Sequence, residues 1–148
     1  MRNFNSATAA ITRATLTALA VLATTGCMMF MGAPSNLDYS RTRVSDGGKY
    51  RATIVPAGDT LARNTLHSWT LHLETVSGEP VDNVAVTVDG GMPQHGHGLP
   101  TKPIVAKHLG KGDHLVEGMK FNMGGWWVVK FRVGGAAAPD TIVFNLKL

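Results

Sequence analysis

Residues 126–133 read WWVVKFRV, and the alternation inside this stretch decides the fold. Trp127, Val129, Phe131 and Val133 fall on one side of an extended chain; Trp126, Val128, Lys130 and Arg132 fall on the other. Successive side chains of a strand point to opposite faces, so the spacing predicts a strand with one face in a core.

The same period recurs outward from this stretch in both directions. In LHSWTLHLETV, residues 66–76, Trp69, Leu71 and Leu73 oppose Thr70, His72 and Glu74. Val84, Val86 and Val88 share a face in VDNVAVTVDGG, and Ile142, Phe144 and Leu146 share one in TIVFNLKL. KYRATIVP alternates until Pro56 ends it. Pro103–Lys107 and His114–Phe121 are shorter extended pieces on either side of the turn Gly110, Lys111, Gly112, Asp113. SGEP and GGAAAPD supply further turns. About seven short strands, with no helix outside the N-terminal segment, predict an all-β fold. The expected architecture is an immunoglobulin-like antiparallel β-sandwich over residues 47–148. With one cysteine, Cys27, no disulfide can staple it, so it must stand on its hydrophobic core.

The first 26 residues belong to something else. Residues 1–13 carry Arg2 and Arg13 and no acid; an uncharged, mostly apolar run, ATLTALAVLATTGC, follows. A basic start, a short apolar run and small residues at its end make an export signal. TTGC resembles a bacterial lipoprotein cleavage box, in which Cys27 would be lipidated as the new N-terminus. Thr24 stands where that box prefers leucine. The alternative is an uncleaved anchor helix, because Ala14–Met31 is free of charge over about the minimum length that crosses a bilayer. Both readings place the rest on the periplasmic side of a membrane, with residues 27–46 as a tether. Losing Arg2 and Arg13 would halve the net charge of +4. The chain has no run of Lys and Arg and no basic–aromatic interleaving, so a nucleic-acid partner is not expected.

One stretch has residues that packing does not require. Residues 92–98 read Met-Pro-Gln-His-Gly-His-Gly, following Asp89, Gly90 and Gly91. The glycines are read as releasing the backbone into a loop, and Pro93, Pro100 and Pro103 as barring sheet interior. His95 and His97, two residues apart, point the same way if the chain is extended, and Met92 lies three residues before His95. Imidazole nitrogen with thioether sulfur is a ligand set that favours copper, whereas zinc usually draws on thiolate or carboxylate as well. Two histidines are too few for tight binding. Met123, in the loop before Trp126, is the expected complement if both loops share one end of the sandwich, with His72 next in order. His67, His108 and His114 are expected to be ordinary exposed histidines, and Met119 a core residue.

These residues resemble a family of small exported bacterial domains, the YtkA-like or FixH-like domain. Its pattern runs approximately M-P-x-H-G-H-G, then E-G-L-x-F-x-M-x-G-x-W. Met92, Pro93, His95, Gly96, His97 and Gly98 match the first half. Glu117, Gly118, Phe121, Met123, Gly125 and Trp127 match the second, with Met119 where leucine is commoner and Gly124 where proline is. The resemblance spans roughly residues 48–148. It implies an immunoglobulin-like fold related in general architecture to CopC-type copper proteins and, because some members lie near haem-copper oxidase or cytochrome peroxidase genes, an assembly or metal-handling part.

The expectation is therefore a membrane-tethered, extracytoplasmic protein that takes up, stores or hands over copper through His95, His97 and methionine sulfur. Its partner would be a copper-donating or copper-receiving protein. The alternative is a structural or assembly module that docks on a membrane oxidase or cytochrome without a metal. An enzyme is not expected, since no Ser or Cys nucleophile with a positioned base is visible.

Overall fold

The alternating segments become strands because each has one apolar row that water would otherwise touch. The computed structural model describes residues 32–58, 60–134 and 139–148. The expected export signal and the lipidation site Cys27 lie outside the described residues. In chain order the strands are β1 (Thr42–Val44), β2 (Tyr50–Pro56), β3 (Leu66–Thr75), β4 (Val86–Met92) and β5 (His97–Gly98). They continue with β6 (Ile104–Gly110), β7 (Asp113–Lys120), β8 (Trp126–Val133) and β9 (Asp140–Lys147). All pairings are antiparallel and form two sheets, β1-β2-β3-β7-β6 and β5-β4-β8-β9. The architecture is the all-β sandwich that the alternation predicts, with nine strands among the described residues.

The inner rows meet in one core. Ala52 and Ile54 of β2, Trp69, Leu71 and Leu73 of β3, and Val116 and Met119 of β7 face Trp127, Val129, Phe131 and Val133 of β8 and Ile142, Phe144 and Leu146 of β9. Phe131 and Phe144 meet edge to face with centroids 5.8 Å apart, a favoured aromatic geometry. β7 keeps its apolar row inward only by a change of phase. Val116 is buried and strict alternation would next bury Gly118, yet Met119 and Phe121 are the buried residues. The ladder to β3 accounts for this: His67 pairs with Met119 and Trp69 with Val116, so β7 carries one extra residue. Gly118 absorbs it at φ +83°, a conformation costly for residues with a Cβ, and Thr101 Oγ1 donates to its carbonyl at 2.6 Å.

Two differences from the sequence reading concern where the sandwich begins and which histidines are exposed. The sandwich begins before Gly47, because β1, inside the expected tether, pairs with β2 through Thr42–Val44. Three residues carry too little pattern to show as a strand. His114 is fully buried rather than exposed. Its Nε2 lies 2.8 Å from the Val81 carbonyl and its Nδ1 2.7 Å from His108 Nδ1, so both ring nitrogens are occupied. A carbonyl only accepts, so Nε2 carries the hydrogen, and in the neutral ring Nδ1 is the acceptor toward His108.

A carboxylate fastens β9 to the turn after β1. Asp140 is buried; its Oδ2 accepts from Ser45 Oγ at 2.6 Å and its Oδ1 from the amides of Gly47 at 2.7 Å and Thr141 at 2.9 Å. Burial alone would raise its pKa. The bond from Ser45 and the backbone amides outweigh burial and hold the carboxyl below its ordinary value. A depressed carboxylate adds stability above its unfolded pKa and loses it as pH falls through the folded one. Asp140→Asn is expected to cost about 2–3 kcal/mol at pH 7. Urea melts at pH 7 and at about pH 3 should show the wild type losing more stability on acidification than the variant. Equal losses would contradict the assignment.

Candidate metal site

The histidine stretch is a tight hairpin rather than a long loop. β4 continues through Asp89, Gly90 and Gly91 to Met92, and Met92 pairs with His97 of β5. The sequence reading ends the strand at the glycines. They stay in the strand because neighbouring backbone is too close for a side chain. A Cβ on Gly91 would stand 2.4 Å from the His97 carbonyl oxygen, and one on Gly90 2.6 Å from that of Val128. Only Pro93–Gly96 turns the chain, held by the amides of His95 and Gly96, which both donate to the Met92 carbonyl at 3.0 Å.

This turn sets the two imidazoles side by side. His95 is exposed at the tip and His97 is half-buried on β5. Their ring centroids are 5.8 Å apart and the planes are 28° from parallel. His97 Nδ1 lies 3.2 Å from the Gly98 carbonyl. That oxygen can only accept, so Nδ1 carries the hydrogen and the neutral ring presents its lone pair at Nε2. Gly90, Gly91 and Trp126 line a hollow on the open side of His97.

The loop before β8 lies at the same end. Trp127 precedes Val128, the partner of Gly91 that ends the β4–β8 ladder; it is fully buried and donates from Nε1 to the Met123 carbonyl at 3.0 Å. Its ring meets His97 at 5.9 Å and Phe121 at 5.2 Å, both edge to face. The methyl of Met92 fills the space beside Gly125, which holds φ +118°. Met123 is 36% exposed, whereas Met92 is 1% exposed and belongs to the core. The end thus brings together His95, His97 and the Met123 loop, with Met92 beneath them.

The other histidines lie elsewhere or are engaged. His72 pairs with Asp113 at the start of β7, while the Met123 loop follows the end of that strand, about 25 Å away along eight residues. Its Nδ1 contacts Asp113 Oδ1 at 2.7 Å and its Nε2 lies 3.8 Å from Glu74. His72 therefore does not join His95 and His97. His67 Nε2 donates to the Ala62 carbonyl at 2.8 Å. Among the described residues no three His, Cys, Asp or Glu side chains gather as a metal group. An ion at this end would rest on two imidazoles and a thioether. The sequence reading places Trp127 in the core by its alternation but does not see that its N–H holds the Met123 loop. A backbone carbonyl acceptor leaves no mark in sequence.

The close approach at Gly91 makes the hairpin sensitive to a single methyl. Gly91→Ala should cost about 1–3 kcal/mol and part β5 from β4. Thermal melting would show the loss, and hydrogen exchange should quicken at the Leu99 amide, which donates to the Gly90 carbonyl at 3.0 Å.

Comparison with known proteins adds one finding. A family model described as YtkA-like matches residues 45–132, more than half of the chain. No curated protein and no solved structure matches. The matched span takes in the histidine hairpin, the Met123 loop and nearly all of β8, and on that match the chain belongs to the YtkA-like family.

Proposed function

We propose that this protein binds copper outside the cytoplasm, tethered to a membrane, and passes the ion to or from a partner. His95, His97 and Met123 would hold it. The observation that carries the reading is the orientation of His97. Its Nδ1–H is spent on the Gly98 carbonyl, leaving Nε2 as the donor beside a second, exposed imidazole. Ligating histidines are usually fixed in this manner, with the other ring nitrogen donating to a carbonyl or carboxylate. Rings that share an ion through N–metal bonds of about 2.0–2.1 Å have centroids within about 6 Å of each other, and 5.8 Å meets that limit. The thioether of Met123 is a soft donor at the surface, and among the described residues no thiolate or carboxylate cluster accompanies it. That donor chemistry favours copper over zinc.

Delivery follows from few ligands and high exposure. A partner's donors reach the ion before the donors of this chain release it, so exchange needs no bare intermediate. Copper, when bound, would supply a soft cation and nothing more is required of it. The basic, then apolar, N-terminal residues ending at Cys27 support export and anchoring. Protons compete for the same imidazole lone pairs, so affinity should weaken on acidification.

Titration of the purified protein with Cu(I) and with Cu(II), against a competing chelator, tests the reading. His95→Ala with His97→Ala should weaken binding by about 100-fold or more, beyond the usual effect of losing an outer partner. Wild-type affinity in the double variant would mean that the hairpin is not the site, and a wild type that takes up no copper would leave the docking-module reading.

A further inference from the structure

Both segments of this end touch one buried side chain, and that contact has a consequence for the ion. We infer that Trp127 is the positioning residue of the site: it sets His97 and the Met123 loop in mutual register, so that two donors far apart in sequence act together. The inference rests on the copper reading and names the group that makes the donor set coherent.

Trp127 is fixed before either donor is. It is fully buried on β8, and its phase is dictated by the row it shares with Val129, Phe131 and Val133. Phe121 meets one part of its ring edge to face at 5.2 Å. From that fixed seat its indole makes two outward contacts of different kinds. The N–H donates to the Met123 carbonyl and so fixes the backbone that carries the thioether. The ring meets His97 edge to face at 5.9 Å and limits how the imidazole can rotate, while Gly98 limits it from the other side. Preorganised donors lose less entropy on binding than donors that must be gathered. Trp127 touches no ion; it acts through His97 and Met123.

Trp69 supplies the matched control. It is an equally buried tryptophan whose Nε1, among the described residues, has no hydrogen-bond partner, and it reaches neither His97 nor Met123 in any hydrogen bond or ring contact. Trp127→Phe and Trp69→Phe therefore make the same chemical change in the same core, and only the first releases the Met123 loop.

The test is Cu(I) affinity of the full chain by chelator competition, for Trp127→Phe, Trp69→Phe, Met123→Ala and the double variant Trp127→Phe/Met123→Ala. Trp127→Phe should weaken binding about tenfold or more, as losses of orienting partners do. Trp69→Phe should stay within about threefold, because Trp69 reaches Trp127 only through Phe121, on which it stacks at 6.1 Å, and keeps neither the Met123 carbonyl nor the His97 ring in place. The double variant should lose less than the product of the two singles, because the thioether is already adrift once the indole N–H is gone. Equal effects of the two tryptophan substitutions, or a double variant at the full product, would overturn the inference. A second readout needs no substitution. On titration with Cu(I), the indole N–H resonance of Trp127 should shift in step with the His97 ring signals while that of Trp69 stays put. An unmoved Trp127 signal in the copper-loaded protein would also overturn it. If His95→Ala/His97→Ala abolishes binding while these tests fail, the copper site stands and only the role of Trp127 falls.

Discussion

Burial of Trp127, Val129, Phe131 and Val133 in one row of β8 is the constraint from which the rest follows. A strand has a period of two, so a slip of one residue would put Trp126, Lys130 and Arg132 inside and expose the row. That penalty fixes the register of β8 against both neighbours: Gly91 opposite Val128, and Trp127 opposite Leu146. Once this register is set, the hairpin beyond Gly91 and the loop before Trp126 have no choice of end. The geometry around His97 is thus inherited from the core, which is why two surface turns can be held in a defined arrangement in a domain without a disulfide.

The strands that were legible are those whose pattern repeats long enough to be counted. β3, β8 and β9 each bury three or four residues on one phase. Phase changes were not legible. At Gly118 an extra residue in β7 turns Met119 and Phe121 inward, and nothing in VEGMKF reveals it except the glycine itself. Gly90 and Gly91 misled in the opposite direction. Paired glycines usually mark a turn, and here they mark a sheet interior where the carbonyls of Val128 and His97 come too close for any Cβ. The same composition serves both purposes, and the difference is tertiary.

The meeting of the two loops was legible because it depends only on topology: antiparallel sheets collect alternate connections at one end. By the same logic the pairing of His72 with Asp113 puts it at the other end. The surroundings of each candidate side chain were not legible. Met92 and Met123 look alike in sequence, yet one lies in the core and one at the surface. The bond from His97 Nδ1 to the Gly98 carbonyl depends on a backbone group that every residue possesses.

The clasp between Ser45 and Asp140 bears on how the chain assembles. Its partners are 95 residues apart, so it closes a loop that takes in almost the whole domain. Contacts of such separation form late, since the intervening chain must first surrender its freedom. Until β9 arrives, Ser45 and the amide of Gly47 wait without their acceptor. A chain that emerges N-terminus first would hold β1 only loosely until β9 follows, so the sandwich is completed, rather than nucleated, at the seam where β1 and β9 meet.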